Sequence, residues 1–392
     1  MSSSVVRLWR GCLWLLVSAL VVLAVAVTTL RVALPNLNNY KSEIETWVNQ
    51  SSGFEFTINE VSGFWRNTHP SIALQGVKAN FPSTQNVHFS MDQLEVEFDL
   101  IQSIFKLRPV VTDLTLNQLH LDVRSLDILG ANASSENKSS AKGASSNIVP
   151  ELDNLLLRIL IDFTLKDSTV LYTAISGEER QLDIENLKWR NSGKHHLAEG
   201  VLSVADANIN SLSVSANFID NGSLADVSGE FYISADQVSV KPWLTKYMQA
   251  ESGITTGNVS LNSWITLANS KPVDAYVEVL PSELSWIEGS EHDLIFESGV
   301  FKLEPTDEGW QVNGHSLNLR TDDTQWPELD VAFDWQKDFW QLNVSQIDIV
   351  TITPLVKLLP ESADSSEILS ILNPGGLVED IRVSMGDTTE SL

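Results

Sequence analysis

The side chains best suited to catalysis or metal binding are scattered along this chain. Its 392 residues include seven histidines and one cysteine, and the only adjacent histidines are His195 and His196. They follow Gly193 and Lys194 in a predicted turn, and neighbouring residues of a strand point to opposite faces. We therefore interpret the pair as a solvated turn rather than a metal site. Cys12 lies in the first apolar segment, which leaves the rest of the chain without disulfides, thiol nucleophiles or cysteine-rich metal sites.

No sequence motif for catalysis is present. The chain has no glycine-rich phosphate loop, no G-x-S-x-G elbow, no H-E-x-x-H helix and no calcium-binding loop. Most carboxylates alternate with apolar residues, as between Leu94 and Leu100, which assigns them to a solvated face rather than to a glycosidase pair. We therefore predict a protein that is not an enzyme and that uses no metal and no cofactor.

Aromatic side chains offer a second kind of chemistry, because the chain contains 12 tryptophans. Four of them lie close together in the sequence: Trp310, Trp326, Trp335 and Trp340. They could form a platform on which sugar rings stack, as in a secreted carbohydrate-active β-sandwich. They could also pack within and along the edge of a sheet, where aromatic residues are enriched. We favour the second interpretation.

The charge balance excludes one class of partner. The chain has 51 acidic and 25 basic residues and a formal net charge of −26. So acidic a surface repels phosphate backbones, which excludes nucleic acid as a partner. It also argues against docking on anionic lipid through a basic patch.

The N-terminal segment sets the compartment. Residues Gly11 to Leu30 are uncharged and just long enough to span a bilayer as a helix. Arg7 and Arg10 precede this segment, which predicts a cytoplasmic N-terminus. The alternative is a cleaved signal peptide with a site at residues 24–26. Because the apolar stretch continues beyond Arg31, we favour an uncleaved inner-membrane anchor with the bulk of the chain in the periplasm.

The spacing of apolar residues changes at Gly53 from a helical pattern to a strand pattern. Before it, apolar residues from Leu34 to Val48 recur with helical spacing. Beyond it, apolar and polar residues mostly alternate, which is typical of antiparallel strands with one apolar and one solvated face. A slip of one residue between Leu116 and Leu119 indicates a bulge. Candidate residues for the lining of an apolar groove are Leu94, Val96, Phe98, Leu114, Leu116, Leu182, Ile184, Leu212, Val214, Phe218, Val259 and Leu261.

Short helices interrupt the strands, and one arrangement occurs twice. A strand, a helix that begins at a proline, a glycine and a new strand are predicted at residues 238–261 and again at 351–381. Repeated units of this kind stack into elongated bodies. Because the second unit stops after one strand, we expect the chain to be the front part of a longer protein. The helices are predicted at Ile101–Leu107, Trp243–Met248, Leu355–Leu359 and Ser365–Leu372.

Composition and periodicity together divide the chain into five segments. We expect a cytoplasmic tip and transmembrane anchor at residues 1–31, and a helix with the first part of the sheet at 32–129. Residues 130–149 are rich in serine and alanine and are predicted to be a disordered loop. The sheet continues over residues 150–350. Residues 351–392 are predicted to form a helical connection and the start of a further repeat.

Several short motifs, together with their order along the chain, resemble the YhdP branch of the AsmA-like proteins. The resemblance begins at Arg31–Pro35 and includes Leu94–Leu100 and Val111–Leu121, and it returns at Leu372–Gly376 and Asp380-Ile381. Its early hairpin pattern consists of Val61, Gly63, Trp65, Pro70, Ile72, Leu74 and Val77, among which Gly63, Trp65 and Pro70 are taken as structural residues of the family.

The resemblance implies a mainly β fold: a transmembrane helix followed by an elongated, twisted antiparallel β-groove of repeats with short interspersed helices. It also implies a conduit that moves phospholipid between the inner and outer membranes and maintains the outer-membrane barrier. The implied partners are phospholipid acyl chains, the inner membrane through residues 11–30, and envelope proteins. This chain is several times shorter than full-length members of that family.

The residues by themselves leave two other interpretations open. The apolar face could pack on a second sheet in a closed sandwich, which alternation alone favours over a groove. The sheet could also bind proteins, as an anchored periplasmic assembly factor for outer-membrane components. An open apolar trough would favour lipid, and a closed core with an exposed tryptophan row would favour sugar.

Overall fold

The computed structural model describes most of the chain. The described residues are 3–52, 55–67, 69–80, 88–124, 153–160, 162–173, 179–204, 212–241, 253–288, 290–306, 309–336, 339–356 and 375–386. The chain divides into two compact units. Unit 1 comprises Met1–Ser125 and Asp162–Ser168, and unit 2 comprises Leu126–Ile161 and Thr169–Leu392. The predicted loop 130–149 and the predicted helices Trp243–Met248 and Ser365–Leu372 lie outside the described residues.

Unit 1 begins with helices. Helix α1, Ser3–Ala33, is long and apolar enough to cross a membrane. A 3₁₀ helix, Leu34–Tyr40, follows directly, because Pro35 is compatible with the first turn of a new helix. Helix α2, Lys41–Ser52, continues the chain to the first strand. Leu34 is buried, whereas Trp47 is exposed, so the helical stripe predicted from the sequence is covered only in part.

The strands of unit 1 form an antiparallel set in which β3 pairs with β1, β2 and β4, and β4 pairs with β5. A short helix, α3, connects β4 to β5 close to its predicted position, Ile101–Leu107. The bounds are β1 Glu55–Thr57, β2 Glu60–Arg66, β3 His69–Asn80, β4 His88–Phe98, α3 Leu100–Lys106, β5 Val111–Asp122 and β6 Asp162–Thr173, of which Asp162–Ser168 belongs to unit 1.

Unit 2 is a succession of antiparallel strands, each paired with the next, from β7 to β14 and on through β16, β17 and β18. The bounds are a single π-helical turn Leu155–Ile159, β7 Glu179–Ser192, β8 His195–Val204, β9 Leu212–Ser223, β10 Asp226–Ser239, β11 Ile254–Ala268, β12 Lys271–Glu288, β13 Ser290–Pro305, β14 Gly309–Thr321, β15 Thr324–Gln325, β16 Leu329–Gln336, β17 Phe339–Asp348, α4 Ile349–Val356 and β18 Leu377–Gly386.

Among the described residues, 18 strands belong to one large antiparallel sheet that is open. The predicted fold class, mainly β with an N-terminal apolar helix, is therefore confirmed. The closed sandwich is not observed, and the apolar side chains of the strands are mostly half-buried rather than enclosed.

One predicted strand is wrong. Residues Thr351–Thr353 form part of helix α4, and Pro354 lies inside that helix rather than at its start. Asp348 explains the difference, because its side-chain Oδ1 accepts a hydrogen bond from the Val350 amide at 3.1 Å. Its carbonyl oxygen also accepts one from the Thr351 hydroxyl at 2.7 Å. An aspartate that satisfies free amides in this way favours a helix over the strand that β-branched residues prefer.

A polar seam crosses the strands of unit 2 and interrupts their ladders. Gln237 and Ser316 adopt left-handed backbone conformations within β10 and β14, with φ of 50° at each. The register shifts beside both residues, as expected for bulges. At the seam, hydroxyl and carboxylate side chains replace carbonyl oxygens as acceptors for backbone amides. We define the polar seam as Gln237, Ser260, Ser282, Ser316, Asp330 and Ser345.

The hydrogen bonds of the polar seam run from strand to strand. The Gln237 amide donates to Ser260 Oγ at 2.9 Å, and the Ser260 amide donates to Ser282 Oγ at 2.9 Å. Further along, the Ser316 amide donates to Asp330 Oδ1 and the Asp330 amide to Ser345 Oγ, both at 2.9 Å. The seam therefore satisfies backbone groups that a bulge would leave unpaired.

The bulges change which residues face the same side. In β14, Val312 and Gly314 on one side of the seam share a face with Leu317 beyond it. The slip predicted in β5 has the same cause, because Gln118 has a φ of 52°. A one-residue slip keeps apolar side chains on one face along the full length of a strand that is bent at its middle.

Candidate functional site

Four of the residues predicted to line a groove in unit 1 share one face of the sheet. Leu94 is paired with Leu116, and Val96 is paired with Leu114. Phe98 follows a register shift and is paired with Val111 instead.

The opposite face of β4 carries carboxylates, as the alternation predicts. The side chains of Glu95 and Glu97 are nevertheless only partly exposed, at 17% and 19%. Arg66 explains this, because its guanidinium lies 2.6 Å from Glu95 Oε2. His69 also covers Glu97, with Nδ1 at 3.3 Å from Oε1.

The three residues taken as structural in the family lie on the apolar face of unit 1. In β2 and β3, Gly63 is paired with Ile72 and Trp65 with Pro70. A Cβ atom on Gly63 would lie 2.6 Å from the Leu34 carbonyl oxygen. The glycine therefore allows the 3₁₀ helix that follows α1 to pack directly against β2, which ties the apolar helix α1 to the sheet.

The apolar face of unit 2 is continuous from strand to strand. Residues that are paired across neighbouring strands point to the same side, so chains of pairs define rows that cross the sheet. One such row, which we call the long row, crosses eleven strands from β7 to β18. Its members are Leu187, Gly200, Val214, Ile233, Ser263, Val277, Phe301, Gly314, Val331, Val344 and Ile381.

A second, shorter row runs beside the long row and holds three more of the predicted residues. It consists of Ile184, Leu202, Leu212, Ala235, Leu261, Val279 and Gly299. Val214 lies on the long row itself. Leu182 is paired with Val204, Phe218 with His196 and Gly229, and Val259 with Val238.

The tryptophans noted in the sequence extend this face to its rim. Trp310 is paired with Trp335, and Trp335 with Trp340, at the ends of β14, β16 and β17. Trp335 shares its face with Phe333, whose ring lies 6.2 Å from that of Trp340. Trp326 is separate, and its indole nitrogen donates to Thr321 Oγ1 at 2.8 Å. Trp310, Trp335 and Trp340 therefore continue an apolar face, although Trp335 is 50% exposed.

The interpretation of the histidine pair as a solvated turn is wrong for His196. This ring is fully buried, and its Nε2 lies 2.6 Å from Oδ2 of Asp220, which is also fully buried. Its Nδ1 lies 2.5 Å from Asn191 Oδ1. Arg158 forms an ion pair with Asp220 from the π-helical turn. Within the described residues, no group of histidine, cysteine and carboxylate side chains could hold a metal.

This network fastens the turn at residues 153–160 to one end of the apolar face. The Leu224 amide donates to Asp153 Oδ1 at 2.9 Å, and the Asn191 side chain donates to the Leu156 carbonyl oxygen at 2.6 Å. Burial would raise the pKa of Asp220, but hydrogen bonds from Arg158 and His196 outweigh it and hold that pKa well below its ordinary value. The carboxylate therefore stays charged where the turn is fastened.

With this geometry established, comparison with known proteins identifies the family. The family described as "YhdP protein" matches residues 1–392. The chain belongs to the YhdP family. This confirms the resemblance inferred from the early hairpin motifs and their order.

One curated relative carries a functional description. It is described as "Intermembrane phospholipid transporter YhdP" from Escherichia coli (strain K12), and it is 27% identical over 329 residues. The alignment covers 83% of this chain and 25% of the relative, so the chain spans about a quarter of the length of that YhdP protein. No solved structure matches the chain.

Proposed function

We propose that this chain is a non-enzymatic segment of a phospholipid conduit, with acyl chains carried on the apolar face of its sheet. The long row supports this proposal most directly, since it continues over eleven strands. At about 4.8 Å between strands, it is roughly 48 Å long. A relative described as an intermembrane phospholipid transporter supports the choice of lipid.

The physical need for such a face follows from the cost of exposing lipid to water. Each exposed methylene costs about 0.8 kcal/mol, so a long acyl chain costs on the order of 12 kcal/mol. Aliphatic side chains repeated at regular spacing shelter an acyl chain without a deep minimum, so the chain can slide. The polar headgroup remains at the solvated rim.

Helix α1 supports the proposed location. We place it across the inner membrane with the N-terminus in the cytoplasm, because Arg7 and Arg10 precede the apolar segment. The sheet then lies in the periplasm. N-terminal sequencing and fractionation test this placement: a mature protein in the soluble fraction that begins near Val27 would contradict it.

The proposal is tested by a charge placed on the apolar face. We expect Leu261→Asp and Val259→Asp each to reduce the phospholipid that is extracted with the purified full chain and quantified by mass spectrometry. Both side chains are half-buried, and in an open groove the new carboxylate can turn toward water, so the melting temperature should change only modestly.

The matched control is Ser215→Asp, which places the same charge on the exposed, opposite face of β9. We expect it to leave bound phospholipid unchanged. Undiminished lipid in a well-folded Leu261→Asp chain would contradict the proposal at this site. Unfolding by both Leu261→Asp and Val259→Asp would indicate a closed core and would also contradict it.

A further inference from the structure

A cavity lies where the membrane helix meets the first strands of unit 1. It measures about 500 Å³ and is lined by Leu23, Val27, Arg31, Trp65, Asn67, His69, Asp99, Leu100 and Ile101. Three of these residues come from the C-terminal half of α1, and two from the start of α3. The cavity therefore borders the part of the chain that leaves the bilayer. Trp65 also belongs to the apolar face of β2, so the same cavity borders the beginning of that face.

The polar groups of the cavity suit an anion with an acceptor oxygen. Arg31 forms no ion pair within the described part of the chain, and its guanidinium can hold a phosphate through two parallel hydrogen bonds. The indole nitrogen of Trp65 is buried and has no hydrogen-bond partner among the described residues. It can only donate. The cavity therefore combines a charged donor, the Arg31 guanidinium, and a neutral donor, the Trp65 indole nitrogen, with apolar lining residues.

The carboxylate in the cavity is already engaged. Asp99 Oδ1 accepts a hydrogen bond from the Gln102 amide at 2.8 Å, and Oδ2 accepts one from the Gln102 side chain at 2.9 Å. The hydrogen bond from the Gln102 amide is the main cause that lowers the pKa of Asp99. Asp99 thus caps α3, and it is not turned toward Arg31 as a salt-bridge partner.

Helix α3 presents apolar side chains to the medium beside this cavity. Phe105 is 84% exposed and Leu107 is 93% exposed, and Ile101 and Ile104 are also exposed. Leu107 ends the helix with a left-handed φ of 51°, which is unusual for a bulky residue. So many exposed apolar side chains in one short segment mark a surface that contacts another phase. Because α1 lines the same cavity, that phase is the bilayer that α1 spans.

We infer that this cavity is the site where a membrane glycerophospholipid is loaded, with α3 seated in the lipid surface, Arg31 on the phosphate and Trp65 donating to a phosphate or ester oxygen. The inference rests on the proposed function and adds the point at which lipid leaves the bilayer. The acyl chains then meet Leu23 and Val27 on one side and the apolar face that begins at β2 on the other.

The test uses the full chain in lipid nanodiscs, with a photoreactive amino acid in place of Val96 on the apolar face of β4. The yield of phospholipid adduct at this position is measured by mass spectrometry. We expect Arg31→Gln to lower the yield about tenfold, since a charge-assisted pair is lost, and Arg31→Lys to restore part of it. Phe105→Ser and Leu107→Ser should also lower it, whereas Val273→Ser, an exposed apolar position in unit 2, should not.

A second arm supplies monomeric short-chain phospholipid to the same proteins in detergent, which bypasses the bilayer. In this arm, we expect the variants to give the same yield of phospholipid adduct at position 96 as the chain without the Arg31 and α3 changes. Equal labelling of all variants from nanodiscs would overturn the loading site while leaving the conduit intact. Absence of labelling at position 96 in both arms, even without the Arg31 and α3 changes, would instead contradict the proposed function.

A third arm separates lipid from a soluble phosphate compound. Glycerophosphoethanolamine carries the headgroup and lacks acyl chains, so we expect it not to compete at millimolar concentration. Full suppression of labelling by this compound would assign the cavity to a soluble phosphate and would overturn the loading site.

Discussion

His196 Nε2 lies 2.6 Å from Asp220 Oδ2, and both side chains are fully buried at one end of the apolar face of unit 2. Arg158 completes the charge balance from the turn that covers this end. A fully buried carboxylate is stable here only while its hydrogen-bond and ion-pair partners are present, because a buried charge without partners is strongly destabilising. The network therefore holds the turn at residues 153–160 against the sheet.

Removal of the charge on Asp220 should loosen this end of the sheet. We expect Asp220→Asn to destabilise β8 and β9 locally by about 2–4 kcal/mol, since the negative charge is lost and only one of the two acceptor oxygens that face His196 and Arg158 remains. Hydrogen exchange of peptides within residues 195–223 of the full chain measures the effect. Asp323→Asn, which changes an exposed carboxylate, is the control. Unchanged protection in Asp220→Asn would show that the pair does not fasten the turn.

The same carboxylate predicts how local stability depends on pH. The pKa of Asp220 is lowered in the folded chain from its ordinary value of 3.8. Its contribution is therefore fully present above about pH 4 and is lost as pH falls from there toward the folded pKa. We expect protection of residues 195–223, corrected for intrinsic exchange, to fall as pH is lowered from about 4 to about 2, and to fall less in Asp220→Asn. Parallel curves for the two proteins would contradict this.

Gly63 should be essential for the junction between the apolar helix α1 and the sheet. A Cβ atom there would lie 2.6 Å from the Leu34 carbonyl oxygen and 2.8 Å from Leu37 Cδ1. We expect Gly63→Ala to cost about 1–3 kcal/mol and to raise hydrogen exchange in β2 and in the 3₁₀ helix. Gly11→Ala is the control, since nothing lies within 4 Å of a Cβ at that position. Equal exchange in both variants would show that close packing at Gly63 is unimportant.

The polar seam should stabilise the sheet through single hydroxyl groups. Ser260 Oγ accepts from the Gln237 amide at 2.9 Å, so Ser260→Ala leaves that amide without its acceptor. We expect a local loss of about 1–2 kcal/mol and faster exchange at Gln237. Ser215→Ala, on the exposed face of β9, should have no such effect. If both variants exchange alike, the seam is not stabilised by this hydroxyl.

The sequence predicted the strands of this fold well because one face is apolar and the other is solvated. The pairing of Leu94 with Leu116 follows from that alternation. A bulge is predicted from the sequence only in β5, where Leu116 and Leu119 are three residues apart. The same three-residue spacing occurs between Gly314 and Leu317 in β14, so the bulge in that strand has the same signal in the sequence.

The features that were missed depend on contacts between distant residues. His196 and Asp220 are 24 residues apart, and neither has a local pattern that distinguishes it from a solvated residue. The cavity of unit 1 joins Arg31, Trp65 and Asp99 from three separate elements. For helix α4, the aspartate before Ile349 was an available capping signal, and the β-branched residues after it hid that signal.

Photo-crosslinking along the long row tests the central proposal most directly. A photoreactive amino acid is placed in the full chain, in cells, at Val214 or Val331 on the row, and at Ser215 or Ala332 on the opposite face of the same strands. We expect phospholipid adducts at the two row positions and little or none at their neighbours. Adducts of equal yield on both faces, or none on the row in a folded chain, would contradict a lipid-carrying apolar face.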